Sequence, residues 1–209
     1  MKTYVLENEY LNEVFKITDN KRAEILLRCN GVPKLGTKEF ISIFIWSELK
    51  RGISFLNRMS GDRDFLPRYA NFIIRDMMEQ VIEYKYLMKH EELIESYLGA
   101  SEKEVPEQTD IVKKFKIFGS RRFPGKGRKS VHDMAAEVGE ERKKNESEEL
   151  TLYGIYSILS ELCHNSFYES LVRKTEEIDT KEECLAMEEF HVIFVEFIIS
   201  SFLETYKEI

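Results

Sequence analysis

Tyr153, Tyr156, Ser160 and His164 fall within "TLYGIYSILSELCHNSF", a 17-residue run whose one charged side chain is Glu161. At 100° per residue these four, with Ser157, occupy one side of a helix, with Tyr156 at its edge. Leu152, Ile155, Ile158, Leu159, Leu162 and Cys163 form the other side. A surface helix ordinarily carries Glu and Lys on its polar stripe. Hydroxyls and an imidazole there predict a helix covered on both sides, or a stripe that lines a cleft. Buried groups of this kind need hydrogen-bond partners, and a second helix offers them. In "IIRDMMEQVIEYKYL", Arg75 and Glu79 lie four residues apart at the border of an apolar face, near Phe72 and Tyr86. Together, Arg75, Glu79, Tyr156, Ser160 and His164 make a polar cluster between two helices. His164 is suited to acid–base chemistry near neutral pH. The same cluster also serves as a structural hydrogen-bond network, and both readings stand.

Two further constellations bear on function. "ELCH" and "EEFH" are Glu-x-x-His turns, Glu161/His164 and Glu188/His191, which with Glu48 and Glu79 approximate a di-metal carboxylate set. The order along the chain departs from the usual alternation. For His191, which shares an apolar face with Val195, Ile198 and Phe202, a hydrogen-bonded core histidine is the default. The loop "GSRRFPGKGRKS" carries Arg121, Arg122, Lys126, Arg128 and Lys129 around Phe123, a grip for RNA or nucleotide phosphates. Its ordinary reading is a solvated loop. It is not a P-loop: five residues separate Gly119 from Gly125, and Gly127 stands where Ser or Thr would follow the lysine.

These residues require helices to hold them. "EYLNEVFKI" and "KRAEILLRC" read as two helical pieces divided by "TDN", followed by the loop "NGVPKLG". Thr37 caps a predicted helix over 38–59 with a stripe of Phe40, Phe44, Ile45, Leu49, Ile53 and Leu56. A helix over 68–98 presents Ile74, Met77, Met78, Val81 and Met88, with Pro67 in its first turn and Gly99 as its stop. A short helix is expected near 108–118. Ser130 caps another, "VHDMAAEVG", and "EERKKNESEE" reads as a solvated charge run. The last helices are expected at 149–173 and 181–207. The predicted fold is all-α: a single domain over 1–209, an antiparallel bundle of four long helices plus short ones, with a basic loop and charged link at 119–149.

Composition agrees. The chain has 209 residues, 43% hydrophobic, with four prolines and ten glycines, enough for a sizeable core without staples. A net charge of −7 disfavours non-specific binding to nucleic acid or anionic membrane. Three scattered cysteines form no C-x-x-C pair and indicate reduced thiols in a cytoplasmic protein. No apolar run is long enough to span a bilayer, and no cofactor is expected. Whether copies of the chain associate is left open.

"IIRDMMEQVIEYKYL", "HDMAAEVG" and "YGIYSILSELCHNS" together resemble an uncharacterised bacterial all-helical family, a domain of unknown function. Its marks are an Arg-x-x-x-Glu helix and a Tyr-x-x-x-Ser-x-x-x-His-x-Ser helix. The resemblance covers about 70–170 and implies a helical fold and a shared site of Arg75, Glu79, Tyr156, Ser160, His164 and Ser166. A looser resemblance is to HEPN domains of toxin and phage-defence systems, whose signature places an Arg shortly before a His. No Arg precedes His164 in its own helix, so Arg75 would have to serve from another. These resemblances imply a binding or regulatory module linked to defence or stress, or a metal-independent RNase using His164 and Arg75.

Overall fold

The computed structural model describes residues 9–59, 66–97, 129–141, 150–161, 163 and 180–209. Of these, 84% are helical and none is in a strand. The elements are α1 (Glu9–Arg28), α2 (Lys38–Met59), α3 (Leu66–Lys89), α4 (Ile94–Tyr97, after a 3-10 turn at Glu91–Leu93), α5 (Val131–Val138), α6 (152–161) and α7 (Thr180–Tyr206). Gly99, the predicted helix at 108–118 and most of the basic loop lie outside the described residues.

Local signals set several ends. Thr37 Oγ1 accepts from the Phe40 amide at 3.3 Å and starts α2. Ser130 Oγ accepts from the Asp133 amide at 3.1 Å, and Gly139, at φ 77°, closes α5 after eight residues. A helix this short depends on its caps. Ser130→Ala is therefore expected to cost about 1 kcal/mol, read as a lower midpoint in urea unfolding with an unchanged slope.

Two predicted ends moved. The "TDN" break does not exist, and α1 runs through it. Thr18, fully buried, turns its hydroxyl back onto the carbonyls of Val14 and Phe15, at 2.8 and 3.0 Å. Asp19 is held from outside by Lys50 of α2 at 3.1 Å. Helix α3 stops at Lys89 rather than near 98, because His90 leaves helical geometry (φ −126°, ψ 64°) before the 3-10 turn.

Helix α3 is the hub, packing against α2, α5 and α7. Polar and apolar residues alike are buried along it: Asn71, Gln80, Glu83 and Tyr84 as well as Ile74, Met77, Met78 and Val81. Helices α2 and α3 run antiparallel, since Ser42 meets Tyr84 while Gly52 sits against Met77 and Ile73. Helices α3 and α7 run parallel: Asn71 meets His191, Tyr84 meets Phe202, and Lys85 meets Glu204. The all-α class is as expected, and α3 and α7, with α6 between them in the chain, share one direction, as alternate helices of an up-and-down arrangement do.

The core is one hydrophobic cluster drawing on all the helices. At its centre Trp46 stacks on Phe202 with centroids 5.7 Å apart, and Phe202 contacts Tyr84 and Tyr206, each at 5.0 Å. Phe44, expected in the α2 stripe, is exposed, and Trp46 takes a core place instead. Ser42 gives its proton to the Lys38 carbonyl, so the Tyr84 hydroxyl donates to Ser42 Oγ, at 2.9 Å. Burial raises the Tyr84 pKa despite that bond.

Candidate functional site

The start of α6 is built by two residues, Thr151 and Glu140. Thr151 Oγ1 accepts from the Gly154 amide at 3.0 Å. Glu140 accepts from the Leu152 amide through Oε2 at 3.1 Å and from the Tyr153 amide through its backbone carbonyl at 3.2 Å. The Glu140 carboxylate also takes the Lys85 ammonium of α3 at 2.5 Å and the Ser201 hydroxyl of α7 at 3.2 Å. Glu140 opens the run expected to be solvated, yet its side chain is only 13% exposed, as is that of Lys85. It joins α3, α6 and α7, and sequence reasoning missed it. The available signal was its place directly after Gly139, where the chain must turn.

From that anchored start, Leu152, Ile155, Leu159 and Cys163 point into the core, whereas Ile158 is exposed. The hydroxyl stripe is satisfied largely by its own helix. Ser157 donates to the Gly154 carbonyl and Ser160 to the Tyr156 carbonyl, both at 2.8 Å. Tyr153 stacks on Tyr156, with centroids 5.8 Å apart, and takes the edge of His132 from α5 at 5.1 Å.

Arg75 and Tyr156 do come together. The guanidinium lies 5.9 Å from the Tyr156 ring and 5.8 Å from the Phe72 ring. Among the described residues it forms no ion pair with Glu79, and its buried Nε has no hydrogen-bond partner. Glu79 is nonetheless close enough to act on Tyr156. Burial first, then the Glu79 charge, raises that hydroxyl's pKa, with Arg75 and Ser160 opposing. Burial likewise raises the Cys163 thiol, and Arg75 opposes it. Arg75, Glu79, Tyr156 and Ser160 are each half-buried, a more open setting than the mostly buried cluster expected. His164 and Ser166 lie outside the described residues.

The other candidates are engaged elsewhere or fall outside the description. His191 is 2% exposed and its Nε2–H donates to Asn71 Oδ1 at 3.0 Å; burial alone lowers its pKa to about 4. Glu161 is exposed and Glu48 pairs with Arg51 at 2.9 Å. The Glu188 side chain lies outside the described ones, and among the described residues no three His, Cys, Asp or Glu converge on a metal-sized space. Of the basic loop, Arg121, Arg122, Lys126 and Arg128 lie outside the description. Lys129 pairs with Glu137 and sits 5.8 Å from the Tyr86 ring, so its charge is already partnered.

Two hollows are lined by described residues. One of about 700 Å³ follows α1 alone and gathers no groups from a second element. The other, about 370 Å³, lies between α2 and α3. No family model, curated protein or solved structure matches the chain. Among the described residues no helix is long and apolar enough to cross a membrane.

Proposed function

We propose that the protein is a cytosolic helical binding module whose ligand places a phosphate group, of a nucleotide or RNA, against Arg75. The observation that carries this is the state of Arg75: a half-buried guanidinium held between two rings, with its Nε buried and unpartnered. Burying a cation without a counter-charge is costly, and ring faces offset only part of that cost. A planar guanidinium fixed by stacking is organised to take two oxygens of a phosphate at once.

Calorimetric titration with AMP and with a short single-stranded RNA tests this. Arg75→Met should weaken binding about tenfold or more, and Arg75→Lys should not restore it, because an ammonium lacks the planar fork. Thermal stability should hold or rise in Arg75→Met, since a half-buried charge with no ion pair among the described residues is removed. A fall of several degrees with no binding to lose would make the arginine a packing element and end this reading.

A second reading, RNA cleavage by a metal-independent RNase using His164 and Arg75, draws on one contact. Cys163, which directly precedes His164 in the chain, feels the Arg75 charge. Loss of RNA cleavage in His164→Ala with unchanged RNA binding would favour the RNase over the binding module.

A further inference from the structure

On a helical wheel, Phe44, Ser47, Glu48, Arg51 and Phe55 fall in one stripe along the outer face of α2. Phe44 and Phe55 leave 38% and 50% of their surfaces in solvent. Phe72 of α3, which lines the same hollow as Phe55, leaves 39%. Helix α3 lies close enough to bring Phe72 to the edge of this face because Gly52 has no side chain: a Cβ there would lie 2.8 Å from Met77 Sδ.

The stripe is symmetric about a point midway between Leu49 and Lys50. Phe44 and Phe55 stand at equal distances on either side of it, and so do Glu48 and Arg51. A second copy laid antiparallel along α2 therefore sets each Phe44 against a Phe55 and each Glu48 against an Arg51. A two-fold interface requires this kind of self-complementary patch. Covering the stripe strands no polar group on it. Ser47 donates to the Ile43 carbonyl at 2.8 Å, and Glu48 pairs with Arg51 at 2.9 Å. That pair lies within one helix and leaves Arg51 65% exposed, so it adds little to the stability of the single chain. Its two charges are free to be shared across the axis.

We propose that the protein self-associates as a two-fold dimer through antiparallel α2 helices, with Phe44 of each copy seated against Phe55 and Phe72 of the other. From Phe44 to Phe55 the face runs about 17 Å. One helix face and the edge of a second fall short of the ~800 Å² per partner of a standard interface. The net charge of −7 opposes pairing as well. The dimer is accordingly weak, with Kd between about 10 and 200 µM.

Sedimentation equilibrium of the full chain up to ~500 µM, at ~0.15 M salt and without nucleotide, tests this. Phe55→Ala should weaken the dimer about tenfold. Leu27→Ser, at an 80% exposed position on α1, should leave it unchanged. Charge reversal reads the geometry. Glu48→Lys and Arg51→Glu should each weaken the homodimer about tenfold, since each sets like charges across the axis twice. Mixed in equal amounts, these two variants should form a heterodimer tighter than either homodimer, because every pair across the axis is again of opposite sign. If Glu48→Lys fails to fold, Arg51→Glu and Phe55→Ala on the full chain still decide. A chain that stays monomeric at ~500 µM overturns the proposal. So does a loss in Leu27→Ser equal to that in Phe55→Ala, or a mixture of the folded charge variants no tighter than each alone.

Discussion

Glu140→Ala is expected to lower stability by about 3 kcal/mol, near the bottom of the range for breaking a buried ion pair. The variant leaves Lys85, 13% exposed, without its main partner; its other carboxylate, Glu204, is 3.5 Å away and 73% exposed. It also removes the acceptor for the Leu152 amide and for Ser201. For a chain of this size, such a loss lowers the unfolding midpoint by about 6–12 °C. Glu140→Gln should fall between, because an amide oxygen can still accept at the α6 start. The double variant Lys85→Met/Glu140→Gln should be less destabilised than the sum of its singles, since no buried charge is then stranded. Differential scanning calorimetry of the four proteins closes the cycle. A cost under about 0.5 kcal/mol for Glu140→Ala would mean the carboxylate behaves as an ordinary surface charge.

His191 should make stability depend on pH between 6.5 and about 4. Its native pKa is lowered by burial to about 4 from 6.5, so in that window the unfolded chain binds a proton that the native chain does not. Stability from this group is therefore fully present above pH 6.5 and is lost as pH falls through the window to the native value. At ~1.4 kcal/mol per pH unit the loss approaches about 3 kcal/mol. Carboxylates titrate over the same acid range, so the informative quantity is a difference. His191→Gln keeps a donor for Asn71 Oδ1 but does not titrate in this range. Urea unfolding at pH 7 and pH 4.5 should show a steeper acid loss in the unaltered chain than in His191→Gln. Parallel losses in the two would show that the imidazole accepts a proton in the native state without penalty.

Several features were legible in the sequence because their causes are local. The caps at Thr37 and Ser130 act over three residues, and the apolar stripes follow from helical period alone. The core placement of His191 followed from its apolar neighbours Val195, Ile198 and Phe202. That Arg75 would lie near Tyr156 was readable from charge depletion in "TLYGIYSILSELCHNSF". Its chemical setting was not. Sequence spacing suggested Glu79 as its partner, whereas the packed helices give it the rings of Phe72 and Tyr156.

The remaining decisions belong to tertiary structure. Residues "TDN" look like a break, yet α1 continues because Lys50 of another helix holds Asp19 and packing buries Thr18. Glu140 looks like one more solvated acid until α3, α6 and α7 bring Lys85, Leu152 and Ser201 to it. Helix α3, richer in charge than the helix at 152–161, is the hub, and Asn71, Tyr84 and Lys85 on it find partners on other parts of the chain. The direction of α7 beside α3 is likewise invisible locally. Periodicity specifies which face of a helix is apolar and says nothing of which neighbour it meets or in which sense. That choice rests on contacts between residues more than a hundred positions apart, such as Asn71 with His191 and Tyr84 with Phe202, whose energies exist only once the chain has packed.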